Sequence, residues 1–216
     1  MEIKGLKINF LGDSITYGAG ASTLDNNYVN LIAREGAICQ NYGIGGTRIA
    51  IQKDKKEDHD YNDFNSRLDK MDTQADVVFV FGGTNDYGHG DAPIGDFADR
   101  TPDTFYGALH SLYTGLLTKY VNSKIVIITP LHRRDEQVVR TDAYGREYTH
   151  TLKPFVDAIR EVAEYYSLPV LDLYANSGIN PVVDAVNQKY FADGLHPNDN
   201  GYRVIADKII SFIKNM

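Results

Sequence analysis

Four short stretches carry the side chains able to do chemistry. The apolar run Ile8-Asn9-Phe10-Leu11 ends on Gly12-Asp13-Ser14 rather than on an ordinary polar turn. A second apolar run leads into Asn41-Tyr42-Gly43-Ile44-Gly45-Gly46-Thr47, and a third into Gly82-Gly83-Thr84-Asn85-Asp86. Near the end of the chain stands Asp193-Gly194-Leu195-His196-Pro197. Together they offer a hydroxyl, a glycine loop, an amide and an Asp/His pair, which are the parts of an acyl-transfer site.

Each part has a physical task. A serine hydroxyl is scarcely ionised at neutral pH, so Ser14 needs a base before it can act as a nucleophile. His196 can serve as that base, since an imidazole exchanges its proton near neutral pH. Asp193, three residues earlier, can hold one ring nitrogen and so fix the tautomer. The oxyanion of a tetrahedral intermediate needs donors aimed where charge develops. Gly46 can supply a backbone N–H, Asn85 a side-chain amide and Ser14 its own N–H.

Taken singly, each stretch has a structural explanation. Glycine turns after strands are common, an Asn can bond its own backbone in a turn, and a histidine can simply help start a helix. Their order, each after an apolar segment, is what indicates acyl transfer. Asp13 and Asp86 read first as carboxylates that organise neighbouring turns.

The elements that must position these residues can be read from periodicity. Lys7–Leu11, Ala37–Tyr42, Val77–Phe81, Lys124–Thr129 and Pro169–Leu173 read as buried strands, rich in β-branched residues. Between them lie helical patterns. One opens at Thr101-Pro102, an N-cap followed by proline, and repeats Phe105, Leu109, Leu112 and Leu116 on one face. A second runs over Leu152–Tyr166 and a third comes after His196-Pro197-Asn198, with Tyr202, Ile205, Ile209 and Phe212 inward. Strands alternating with helices imply a parallel sheet covered on both faces, a three-layer α/β domain. In such a sheet ligands sit outside the carboxyl ends of the strands, where Ser14, the Gly46 loop and Asn85 all lie.

Composition narrows the partners. The chain has 216 residues, 43% apolar and 24% charged, enough for one domain with its own core. A net charge of −7 without a basic block argues against nucleic acid. The single cysteine, Cys39, excludes an internal disulfide framework and reads as a buried thiol. No stretch approaches the ~20 apolar residues of a membrane span. The start, MEIKGLKINF, lacks a signal-peptide pattern, so a cytoplasmic protein is expected. No metal pattern is evident, and Asp54, Asp58, His59 and Asp60 read as a solvated loop; a homo-oligomer stays open.

The chain resembles the SGNH (GDSL-type) hydrolase superfamily through FLGDSITYG, NYGIGGTR, GGTND and DGLHPN. The resemblance spans residues 7 to 213. It implies Ser14 as nucleophile, Asp193 and His196 completing the triad, and Ser14, Gly46 and Asn85 as oxyanion donors. It further implies a flavodoxin-like α/β/α sandwich with a five-stranded parallel sheet of order 2-1-3-4-5, and ester hydrolysis without cofactor. No stretch matches the G-x-S-x-G elbow, because no second glycine follows Ser14 at the required place.

Two long segments, Gln52–Asn62 and Arg133–Thr149, are of a length usual for lids or excursions. The second is polar and carries Arg133, Arg134, Arg140 and Arg146. Asp13, Tyr87, His132, Arg133 and Tyr144 are the candidates for substrate contact, because tyrosine, arginine and histidine rims suit polyhydroxylated ligands. A short acyl group, acetyl foremost, on a carbohydrate or other polar alcohol is therefore the expected substrate. A lysophospholipase or thioesterase is the alternative, and a flavodoxin-like phosphate binder or an inactive ligand-binding module are the readings outside hydrolysis.

Overall fold

The central strand shows why the sheet forms. Val77–Phe81 (β3) reads Val-Val-Phe-Val-Phe and is buried at every position, as a parallel strand covered on both faces must be. Its neighbours are Lys7–Gly12 (β1), Ile38–Gly43 (β2), Lys124–Ile128 (β4) and Val170–Leu171 (β5). All pair in parallel in the order β2-β1-β3-β4-β5. The computed structural model describes residues 1–51, 62–89, 92–138, 140–141, 147–148 and 151–216.

The period of two in β3 divides the core between two helical layers. Val78 and Val80, with Leu11, Ile125 and Ile127, pack against Phe64–Arg67 (α3), Phe105–Lys119 (α5) and Leu152–Tyr165 (α6). Val77, Phe79 and Phe81, with Ile8, Phe10, Val126 and Ile128, face Tyr28–Arg34 (α2) and Asp199–Asn215 (α9). Short helices Ser14–Tyr17 (α1), Thr84–His89 (α4), Leu173–Asn176 (α7) and Asp184–Tyr190 (α8) occupy the connections. No described helix is long and apolar enough to cross a membrane.

Two boundaries and the burial of one edge strand differ from the sequence expectation. Helix α5 starts at Phe105, because Thr104 rather than Thr101 caps it, accepting the Gly107 N–H at 3.1 Å. The Thr101 carbonyl instead folds onto that first turn, where a Cβ on Gly107 would lie 1.9 Å from it. Strand β5 pairs over two residues only, because Asp172 caps α7 through the Ala175 N–H at 3.1 Å and ends the extended run. At the other edge β2 is largely exposed, with Ile38 at the surface and Cys39 half-buried. Burial still pushes the Cys39 thiol up to about 12, which leaves little thiolate.

Of the long segments, residues 52–61 lie outside the described residues, and with them Asp54, Asp58, His59 and Asp60. Tyr144 and Arg146 do likewise. Arg140–Thr141 and Glu147–Tyr148 form a small antiparallel ladder within the second segment.

Candidate active site

Ser14 owes its position to close backbone packing at the carboxyl edge of β1. Gly12 has no room for a side chain, since a Cβ there would lie 1.8 Å from Thr16 Oγ1. Asp13 caps α1 by accepting the Ile15 N–H at 2.9 Å, so Ser14 becomes the first residue of that helix. Gly43, at the end of β2, packs against α1 so tightly that a Cβ would sit 2.2 Å from the Tyr17 nitrogen. The Ser14 N–H is one of those that a helix start leaves without an intrahelical partner.

The Asp/His pair is built on one tight loop. Asp193 Oδ1 accepts the N–H groups of Leu195 at 2.9 Å and His196 at 2.7 Å. Its Oδ2 lies 2.7 Å from His196 Nδ1, and His196 Nε2 lies 3.0 Å from Ser14 Oγ. Partial burial pushes the Asp193 carboxyl up, but the hydrogen bonds from the His196 ring and the two backbone N–H groups outweigh it. The carboxyl ends below its ordinary value. A carboxylate on Nδ1 favours the tautomer whose Nε2 accepts a proton.

Helix α9 ties this loop to the turn after Ser14. Asp199 accepts from the Ser22 N–H at 2.8 Å, the Ser22 hydroxyl at 2.7 Å and Asn26 Nδ2 at 3.0 Å. Tyr202 donates its hydroxyl to the Ala19 carbonyl at 2.7 Å. The nucleophile and the base, 182 residues apart, are thereby cross-braced.

On the other side of Ser14 stands the glycine loop. Gly46 has φ of +73° and open space at its Cβ position. Its carbonyl accepts from Arg48 Nη1 at 3.0 Å, while among the described residues its N–H makes no hydrogen bond. Asn85, on α4, donates one amide hydrogen to the Thr47 carbonyl at 3.1 Å, leaving the second for a ligand. Asp86 binds the same loop from behind, accepting the N–H groups of Ile49 at 3.0 Å and Ala50 at 2.9 Å. Burial pushes its carboxyl up to about 7, against the lowering by those bonds and by Arg48. Burial likewise pushes Asp13 up to about 6, opposed by the Ile15 N–H and the His196 and Arg67 charges.

The expected substrate contacts divide. Asp13 is buried beneath Ser14 as the α1 cap. Tyr87 is fully buried on α4 and donates its hydroxyl to the Asp135 carbonyl at 2.6 Å. Arg133 is also buried, with its guanidinium on Asp135 and on the Thr84 carbonyl. As candidates for substrate contact these three are corrected, since their polar atoms brace the loops behind the site, and Asp13 takes the turn-organising place first read for it. His132 keeps partial exposure, held by Glu136 at 2.9 Å and packed on Tyr174 with the two rings tilted by 32°. Tyr144 lies outside the described residues. Gly20 and Arg67, which the sequence reading passed over, both touch the site's framework, and neither stands in a stretch with a recognisable local pattern.

The fold and the family pattern recur among known proteins. Among solved structures, a protein from Lactobacillus plantarum is 32% identical, covers 98% of each chain and has a TM-score of 0.83. The lipase/acylhydrolase from Enterococcus faecalis is 25% identical over 97% of this chain and 96% of its own, with a TM-score of 0.65. A two-domain esterase active on acetylated mannans shares the fold at 19% identity and a TM-score of 0.64, covering 98% of this chain and 49% of its own. No curated protein gives a significant match. Residues 10–204, which hold all four chemistry-bearing stretches, match the GDSL-like Lipase/Acylhydrolase family. The chain belongs to that family of hydrolases.

Proposed function

We propose that the protein is a serine ester hydrolase that removes short acyl groups, acetyl foremost, from a carbohydrate or another polar alcohol. The observation that carries this reading is the relay from Asp193 Oδ2 to His196 Nδ1 at 2.7 Å and from His196 Nε2 to Ser14 Oγ at 3.0 Å. Both distances lie within the reach general-base catalysis needs.

The reaction is dictated by those contacts. Ser14 Oγ attacks the ester carbonyl while its proton passes to His196 Nε2. The carbonyl oxygen takes up negative charge and is met by the N–H groups of Ser14 and Gly46 and the free amide hydrogen of Asn85. Collapse of the intermediate breaks the bond to the alcohol, which leaves with the proton from His196. Water then attacks the acyl-enzyme, giving its proton to His196, and Ser14 is restored as the acid departs. Each oxyanion donor is worth roughly 3 kcal/mol in such sites.

Two observations support a small acyl group on a polar alcohol. The exposed residue nearest in sequence to the nucleophile is an aromatic one, Tyr17, half-exposed on α1, and aromatic faces suit sugar rings. A relative of the same fold acts on acetylated mannans. The test is labelling by an organophosphonate together with a panel of p-nitrophenyl esters of rising chain length and acetylated sugars. Label on Ser14 and a rate that falls beyond acetyl or butyryl are expected. A rate rising with chain length would turn the reading toward lipid acyl chains, and an unlabelled Ser14 without turnover toward a ligand-binding module.

A further inference from the structure

Arg67 closes α3 and is almost entirely buried, its guanidinium carbon 4.7 Å from the centroid of the Phe64 ring. Nη1 donates to the Tyr42 carbonyl at 2.5 Å. Nη2 donates to the Gly12 carbonyl at 3.1 Å and to Thr47 Oγ1 at 3.0 Å. The three acceptors belong to the end of β2, the end of β1 and the glycine loop. Nε, equally buried, has no partner among the described residues. The head group is thus set by what its two Nη atoms must reach and not by its own full satisfaction.

A buried cation is a costly way to fill space, since desolvation opposes it and a well-packed apolar side chain would serve as well. Arg67 makes no direct ion pair in compensation among the described residues; Asp13 and Asp63 act on it only through their charge. What the guanidinium adds is a rigid fork of donors in fixed relative geometry. That fork spans the places whose separation an oxyanion site depends on. Gly12 is two residues before Ser14, and its carbonyl also takes the Ile44 N–H at 3.2 Å. Thr47 comes directly after Gly46, and its carbonyl holds the Asn85 amide at 3.1 Å.

We propose that Arg67 is a positioning residue that sets the oxyanion donors of Gly46 and Asn85 against Ser14 through Gly12 and Thr47. The proposal rests on the ester-hydrolase reading. It makes Arg67 act through Thr47 and Asn85, not on the substrate and not by charge alone.

A double-mutant cycle tests it. Acetylation by p-nitrophenyl acetate is monitored as a single turnover with enzyme in excess, so that slow variants stay measurable. Arg67→Met is expected to slow acylation by roughly 10- to 100-fold, less than the outright loss of one oxyanion donor, at nearly unchanged ester affinity. In an Asn85→Ala background the same change is expected to cost clearly less, by at least about 3-fold, because one of the two donors it positions is gone and only Gly46 is left to misplace. Arg67→Lys, which keeps the charge but gathers its donors on one nitrogen, should recover only part of the rate. Equal losses in both backgrounds, or full recovery with lysine, would overturn the proposal in favour of a structural or purely electrostatic role. Should Arg67→Met fail to fold, Thr47→Val removes the Oγ1 acceptor and keeps the cation, and the same non-additivity with Asn85→Ala is required of it. A wild-type protein that hydrolyses no ester, or whose activity survives Ser14→Ala, would sink the ester-hydrolase reading and this inference with it. A Ser14-dependent esterase with an additive Arg67 would sink the inference alone.

Discussion

Gly20 and His196 are in direct contact: a Cβ on Gly20 would lie 2.9 Å from the His196 Cβ and 2.6 Å from the Pro197 carbonyl oxygen. The turn after the nucleophile therefore forms the wall against which the base is seated. Gly20 also has φ of +90°, a region that side-chain-bearing residues seldom enter. Gly20→Ala should displace His196 from Ser14 and lower kcat by at least about 10-fold, since small misplacements of a catalytic group are costly. Gly5→Ala is the control, with φ of +81° but nothing within 4 Å of the new methyl. It should lower the Tm by several degrees, as roughly 1 to 2 kcal/mol of backbone strain predicts, and leave kcat unchanged. Equal kcat losses in the two variants would remove the wall from the account.

Ser14→Ala should abolish ester hydrolysis and leave the thermal melt nearly in place, because one half-buried hydroxyl is removed. Asp193→Asn should keep the loop, since an amide oxygen can still accept the Leu195 and His196 N–H groups. Its NH2 group would then face Nδ1 and impose the wrong imidazole tautomer. With the Asp193 side chain 54% exposed, a loss toward the lower end of roughly 10²- to 10⁴-fold in kcat is expected. Steady-state rates of both purified variants check this, and retained turnover in Ser14→Ala would exclude it as nucleophile.

Asp86 makes stability depend on pH in an unusual sense. Its folded pKa, pushed up to about 7 by burial from 3.8, exceeds the unfolded one. Between about pH 4 and 7 the folded state retains a proton that the unfolded chain has released, so stability falls as pH rises. Asp13, pushed up to about 6, adds to the same trend over a lower window. Asp86→Asn loses its own contribution. The Tm advantage of wild type over this variant should therefore be greatest near pH 4 to 5 and shrink toward pH 8. A gap that widens with pH would mean that Asp86 is ionised and stabilising when folded.

Tyr87→Phe separates a brace from a substrate contact. The hydroxyl holds the carbonyls of Asp135 at 2.6 Å and Val138 at 3.2 Å, and the ring is fully buried. Losing those bonds should cost about 1 to 3 kcal/mol, a few degrees in Tm for a chain of this size. KM for acetylated substrates should not change. A raised KM at unaltered Tm would return Tyr87 to the binding surface.

Much of this protein is legible along the chain because the decisive signals are local. β3 announces itself as five apolar residues between Asp76 and Gly82, and parallel strands buried on both faces have no other common appearance. Ser14, Gly46 and Asn85 stand just past the carboxyl ends of three strands, where a parallel sheet places its ligands. The Asp193/His196 pair shows itself by a spacing of three that one turn can close. Thr104 displacing Thr101 as the α5 cap was not legible. Both are threonines, and the choice depends on where the preceding segment folds back on the helix.

Burial and distance between remote segments are what only the tertiary structure decided. Asp13, Tyr87 and Arg133 have the side chains of a ligand rim, and their sequence neighbours are equally polar. They became interior braces because α1, α4 and the segment after β4 close over them. Arg67, in Asn65-Ser66-Arg67-Leu68, looks like any helix-surface arginine. Its three acceptors lie 20, 25 and 55 residues away and meet it only when β1, β2 and the glycine loop are stacked. Gly20 is likewise an ordinary loop glycine until His196 arrives against it. Residue type and spacing determine which groups can react, whereas the packing of distant backbone determines which of them face the substrate and which hold the others still.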